Sequence, residues 1–318
     1  LFRSQILINY KMHFPYVYDP SPFPIQYREY ELESLCNHIG AKAFVTSSRI
    51  LDRAAAQSIL DLKSKLPALS AIFSTGDTVP QGIQAWDAIL ATAHDESVLS
   101  QYLATLQVDA NDVFTICWTS GTESKPKGVP RTANDWITIA YASVDGVQMT
   151  PADRLLNPFP LINMAGIGGM MVPWLIAGCT LIMHQPFDLP VFLKQVALEK
   201  ASYTVAPPAL LTLLLLREEI LAQADISSLR VIGSGSAPLS PFMVKTWQVK
   251  YGIPVTNFFG SKGGIALLGD PAVIPDPEKR ALFFPRFGAD GFTFDSRITK
   301  GMKTRLVNPD TNETITQP

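Results

Sequence analysis

Short apolar runs alternate with amphipathic stretches along most of this chain. AKAFVTS (41–47), SAIFS (70–74), VFTICW (113–118), CTLIMH (179–184), SYTVAPP (202–208), LRVIGSGSA (229–237) and IPVTNFFG (253–260) read as strands, most of them rich in β-branched and aromatic residues. Between them, REYELESLCNHIG, LDRAAAQSILDLKSKL, WITIAYASVDGV, FDLPVFLKQVALEKA, PALLTLLLLREEILAQA and PLSPFMVKTWQVKYG carry helical spacing. Gly40 and Gly252 stand where helices would end. The alternation predicts an α/β fold of mostly parallel sheet flanked by helices. After Asp276 the pattern changes: GFTFDSRI and KTRLVNPDTNETI read as a small antiparallel β section joined by turns.

One uncharged stretch, Met164 to Met183, reaches the ~20 residues that cross a bilayer. It holds several glycines and Pro173, so it reads instead as a buried helix closed by Gly178 and followed by a strand over 179–184. No membrane span is expected. Net charge is −2 over 318 residues, which leaves no basic field for nucleic acid. Cys36, Cys117 and Cys179 each lie in apolar surroundings and read as reduced core thiols. Neither they nor the four histidines show metal-ligand spacing, so no metal ligand is assigned. Reduced thiols and no signal peptide suggest a cytoplasmic protein. The chain opens on Leu1 and closes within an apparent turn, which suggests a piece of a longer protein. The sequence gives no oligomeric state.

Ligands of parallel sheets bind where loops leave the carboxyl ends of strands. Three such loops are chemically loaded: 119–128, 233–238 and 257–264. TSGTESKPKG offers hydroxyls on Thr119, Ser120, Thr122 and Ser124, close backbone approach at Gly121 and Gly128, and charge on Lys125 and Lys127. Backbone N–H groups with a lysine after a buried strand suit a polyphosphate. Pro126 breaks the P-loop pattern GxxxxGK[ST], and a polar surface loop accounts for the composition equally well.

The loops taken together resemble the adenylate-forming (AMP-binding) superfamily, in particular the large N-terminal domain of acyl-CoA synthetases of the fatty-acid-CoA-ligase kind. TSGTESKPKGV is similar to the family's phosphate-binding [ST]SGTTGxPKG. In order, FPLINMAGIGG (159–169), SLRVIGSGSAPLS (228–240) and IPVTNFFGSKGG (253–264) resemble its acyl-channel, adenine and YGxTE segments. The resemblance covers about Tyr27 to Ile315. It departs at Asn163 and Ala133, which replace histidines, and at Lys262 and Gly263, which replace Thr and the glutamate that supports Mg²⁺.

What the resemblance implies is ATP-dependent activation of a fatty or other apolar carboxylic acid to an acyl-adenylate, then thioester formation with coenzyme A. Its cofactors are ATP, Mg²⁺ at a site weakened by Gly263, and coenzyme A; its partner is a small-molecule carboxylate. Thr122 and Lys127 take the catalytic roles. Thr119, Ser120, Gly121, Thr122, Lys125 and Lys127 would hold phosphates, with Gly235, Ser236, Ala237, Pro238, Asn257, Phe258, Phe259, Gly260, Ser261 and Lys262 around the nucleotide. Asn163, Met164 and Gly166 would face the acyl group. Residues 1–275 would form the core, incomplete at its start, and 276–318 the beginning of a small β subdomain. The family's ribose-binding aspartate and C-terminal lid domain would lie beyond the chain, leaving this piece alone inactive or weak. The alternative is a catalytically impaired nucleotide- or acyl-binding relative of the same fold. A Ser/Lys amidase using Ser234 or Ser236 finds no GxSxG elbow and no partnering histidine.

Overall fold

The computed structural model describes residues 20–92, 96–107, 109–119, 126–261, 264–289, 296–297 and 300–315. They fall into two compact units: residues 23–107, and residues 109–315 together with 20–22.

The smaller unit contains α1 (Glu29–Ile39), β1 (Ala43–Ser47), α2 (Ala55–Leu62), β2 (Ala71–Thr75), β3 (Gln84–Ala85), α3 (Trp86–Ala91) and α4 (Glu96–Thr105). Its strands form a parallel sheet in the order β1-β2-β3. Gly40 closes α1 in the left-handed conformation at φ 60°, which its missing Cβ permits. Leu32, Cys36, Ile59, Leu62 and Ile72 make the core.

The larger unit opens with β4 (Val113–Trp118) and β5 (Gly128–Thr132), paired antiparallel in a sheet of their own. VFTICW is thus a strand, yet it does not join the parallel sheet. A continuous apolar run reports burial and not the direction of pairing. Here burial comes from a helix: Cys117 packs with Trp136 and Ile167, and Trp136 Nε1 donates to Thr115 Oγ1 at 2.9 Å. That helix is α5 (Ala133–Gly146), begun by a reciprocal cap between Thr132 and Asp135.

The main sheet follows, with β6 (Arg154–Asn157), α6 (Met164–Gly166), a π-helical turn (Ile167–Met171), α7 (Val172–Ala177), β7 (Thr180–Met183), α8 (Leu189–Leu198) and β8 (Tyr203–Val205). Next come α9 (Pro208–Leu216), α10 (Glu218–Leu221), β9 (Val231–Gly235), α11 (Pro241–Tyr251), β10 (Val255–Ser261), β11 (Gly264–Gly269) and α12 (Pro277–Leu282). Six strands run in the order β11-β10-β9-β8-β6-β7, all neighbours parallel except β10 and β11. Gly178 ends α7 at φ 66°, as the sequence suggests. Among the described residues no helix is long and apolar enough to cross a membrane. All three cysteines are buried and none forms a disulfide.

Several boundaries differ from the sequence reading. The helix expected over 208–224 breaks at Arg217, whose φ −120° and ψ 61° leave the helical region. The loop expected from residue 257 onward is strand as far as Ser261: β10 runs through that residue, which pairs with Gly264 of β11. Helix α12 lies where only β structure was expected. In 300–315 the antiparallel character is limited to a bridge between Val307 and Thr314.

Candidate active site

The five parallel strands of the main sheet end on one edge, at Asn157, Met183, Val205, Gly235 and Ser261. The β9–β10 register pairs Gly235 with Phe258, so Ser236 and Phe259 emerge side by side. Beyond that pair Ser236, Ala237 and Pro238 are exposed, and so are Phe259, Gly260 and Ser261. Ser236 takes φ 69°, a left-handed turn that swings the chain sharply off β9. Phe259 is 56% exposed, with the Phe284 ring centroid 6.1 Å from its own. The edge therefore presents polar backbone beside an open aromatic face, suited to a planar heterocycle.

The residues beneath serve the scaffold. A Cβ on Gly235 would stand 2.1 Å from the Phe258 carbonyl oxygen, and one on Gly233 2.8 Å from the Tyr203 hydroxyl. The space these glycines leave is filled by the neighbouring strands. Asn257 is buried, and its amide donates to the carbonyls of Arg280 and Ala281 at 3.0 and 3.3 Å. Phe258 packs beneath the sheet against Leu268.

Behind Asn257 stands Arg280, fully buried. Its Nε donates to Val255 O at 2.8 Å and Nη1 to Ile274 O at 2.7 Å, while Nη2 bonds Gln248 Oε1. Burial lowers its pKa from the ordinary arginine value, with Asp270 and Asp276 acting the other way. Neither Arg280 nor Phe284 stands out in the sequence, where EKRALFF lacks a strand or helix period.

At the end of β4, Thr119 N–H donates to Lys127 O and Lys127 N–H donates to Thr119 Oγ1, each at 3.0 Å. These bonds close the neck of the hydroxyl- and lysine-bearing loop. The Lys127 side chain is exposed. Ser120, Gly121, Thr122, Lys125, Lys262 and Gly263 lie outside the described residues.

The acyl-side candidates cluster after β6. Asn163 caps α6, its Oδ1 accepting from Gly166 N–H at 2.9 Å. Gly166 is required by packing, since a Cβ there would meet Pro160 O at 2.2 Å. Met164 is half-buried against the cluster of Cys117, Trp136 and Ile167. Cys117 Sγ lies 3.9 Å from Ile162 O, which brings β4 against this loop. Among the described residues no three His, Cys, Asp or Glu side chains gather as a metal site.

An open, mostly parallel sheet flanked by helices, with polar loops and an aromatic face at its carboxyl edge, defines an α/β protein of the kind whose ligands meet that edge. The family model of the AMP-binding enzyme matches residues 20–313, and the chain belongs to that family. It is 30% identical over 185 residues to an indoleacetate–CoA ligase of Aromatoleum aromaticum, covering 58% of this chain and 35% of that protein. It is 27% identical over 245 residues to 4-coumarate–CoA ligase 2 of Petroselinum crispum, covering 75% and 42%. The chain thus spans less than half the length of these curated relatives. In fold it is similar to the anthranilate CoA ligase AuaEII in complex with anthranoyl-AMP, at TM-score 0.69 and 19% identity, covering 93% of this chain and 53% of that one. ATP-bound MatB from Rhodopseudomonas palustris gives TM-score 0.64 at 20% identity, with coverage of 92% and 52%. At these identities the structural likeness speaks for the fold.

Proposed function

We propose that this chain is the nucleotide- and acid-binding part of an ATP-dependent carboxylate–CoA ligase acting on apolar acids, aryl acids before fatty ones. The observation that carries the reading is the β9–β10 edge, where Ser236–Pro238 and the open face of Phe259 emerge together. There the adenine of ATP would lie against Phe259, with the 236–238 backbone beside it. Lys127 and the hydroxyls of the 119–125 loop would face the phosphates. The segment 159–164, with Phe159, Leu161, Ile162 and Met164 and no charge, would wall the acid.

In this scheme a carboxylate oxygen attacks the α-phosphorus, the bond to the β-phosphate bridge breaks, and pyrophosphate leaves with that electron pair. A thiolate of coenzyme A then attacks the acyl carbon and expels AMP. The protein's work is orientation and charge stabilisation. Aryl acids come first because indoleacetate and 4-coumarate ligases are among the relatives and the proposed wall is apolar. Mg²⁺ favours carboxylate oxygens. Thr119, Lys127 and their loop supply none apart from Glu123, and Gly263 stands where the resemblance implies a glutamate, so the ion would be held by phosphate and water.

The test is a hydroxamate trap on the full-length protein with ATP, Mg²⁺ and a panel of aryl and fatty acids. Acid-dependent hydroxamate and pyrophosphate, strongest with aryl acids, are expected. ATP binding with no hydroxamate from any acid would instead favour the impaired reading, which Lys262 and Gly263 motivate.

A further inference from the structure

Asn157 and Met183 are paired at the ends of neighbouring parallel strands, so the chains leaving β6 and β7 run out together. Two bonds stitch them into one surface, and a third turns the first of these chains back on itself. His184 N–H donates to Asn157 O at 3.0 Å, Phe159 N–H donates to Asn157 Oδ1 at 2.9 Å, and Gln185 Nε2 donates to Pro158 O at 2.7 Å. Pro158 has no N–H to donate to a neighbouring strand, and its carbonyl takes its anchor from the Gln185 side chain.

Gln185 is mounted on a fixed base. The neighbouring His184 accepts at Nε2 from Asp188 N–H at 2.9 Å, and its Nδ1 lies 2.6 Å from Gln195 Oε1. An accepting Nε2 places the ring proton on Nδ1, directed at that oxygen. Phe187 and Phe192 flank the imidazole edge-on at 5.5 and 5.7 Å. On the far side the 158–163 loop is already in contact with α6, because Pro160 O fills the place of a Gly166 Cβ. The loop is thus stopped on one side by Gly166 and held on the other by the Gln185 amide.

We propose that Gln185 is a positioning residue for acid recognition: its amide donor sets where residues 159–163 stand, and so sets which carboxylic acids fit. This rests on the function proposed above, in which that loop walls the acid. Gln185 lies in no segment that the sequence marks as chemical. The nucleotide side of the site depends on β9, β10 and the Thr119–Lys127 neck, none of which bonds to Gln185.

The variants Gln185→Glu and Gln185→Met both remove the donor at nearly constant side-chain length. Calorimetry on the full-length protein would use two probes, ATP and an aryl acyl-sulfamoyl adenosine that mimics the adenylate. Losing one well-placed hydrogen bond at the acid wall is expected to raise Kd for the adenylate mimic about fivefold to tenfold. Kd for ATP should stay within about twofold, because its contacts lie elsewhere on the edge. In the hydroxamate assay KM for the aryl acid should rise while KM for ATP holds. Unchanged binding of both probes would overturn the proposal. So would loss of both, including by unfolding, which would assign Gln185 to stability alone. A parent protein that binds ATP but neither binds the mimic nor forms hydroxamate overturns the functional reading first, before any substitution is made.

Discussion

Asp153 joins three segments at the amino-terminal edge of the main sheet, away from the proposed site. Its oxygens accept from Arg230 Nε and Nη2 at 2.8 Å each, Ser202 Oγ at 2.6 Å and Thr150 N–H at 2.8 Å. Arg230 Nη1 continues to Val147 O at 2.6 Å. Burial alone would push this carboxyl up, but the bonds from Arg230, Ser202 and Thr150 and the charge of Arg230 outweigh it and hold the pKa at about 2, below the ordinary 3.8. A depressed carboxyl stabilises the fold above its unfolded pKa and loses that contribution as pH falls through its folded one. The window is therefore from about 4 down to about 2, and the contribution is about 2 kcal/mol. Asp153→Asn should lower urea-unfolding stability by about 2 kcal/mol at pH 7 and flatten the acid-side slope. Parallel pH profiles for parent and variant would contradict this account. Nothing in the sequence marks this aspartate as an ion-pair centre, because Ser202 and Arg230 lie 49 and 77 positions away.

At the scale of elements, the β9–β10 pair decides how the proposed site would be presented. The stretch GSGSAP reads in the sequence as small residues that let a backbone approach a ligand. The structure gives Gly235 a task the sequence did not show, the close passage of Phe258 O. Strand register assigns that task, and register depends on pairing across 20 or more positions. Gly235→Ala would force Cβ to within 2.1 Å of a backbone oxygen that cannot swing away. Overpacking of this kind should destabilise by about 1–3 kcal/mol, read as a lower denaturation midpoint. An unchanged midpoint would show that the strands separate without cost. The sequence reading missed helix α12 although a start signal was present. Asp276 caps it, its Oδ1 accepting from Glu278 N–H at 2.9 Å and Lys279 N–H at 3.1 Å, and Pro277 follows at the first helical position. The six-residue length hid it, since a helix that short shows little period. Strand β4 was legible as a strand and not as half of an antiparallel pair, because both arrangements bury the same residues.

For the whole molecule, the α/β alternation and the order of the loaded loops were legible, because they depend on local period and turn chemistry. The family match over residues 20–313 agrees with the resemblance carried by those loops. The acid was less legible. Fatty and aryl carboxylates both want an apolar wall, and the shape of the proposed wall would depend on contacts such as Gln185 to Pro158 that no local pattern encodes. The central claim is that the protein joins a carboxylate oxygen to the α-phosphorus of ATP. Its most direct test supplies the full-length protein with an aryl acid whose carboxyl oxygens are ¹⁸O, together with ATP, Mg²⁺ and coenzyme A, and weighs the products. The account predicts one ¹⁸O in each AMP formed, since thiolysis leaves that oxygen on phosphorus. AMP without label, or label found in inorganic phosphate beside ADP, would contradict it.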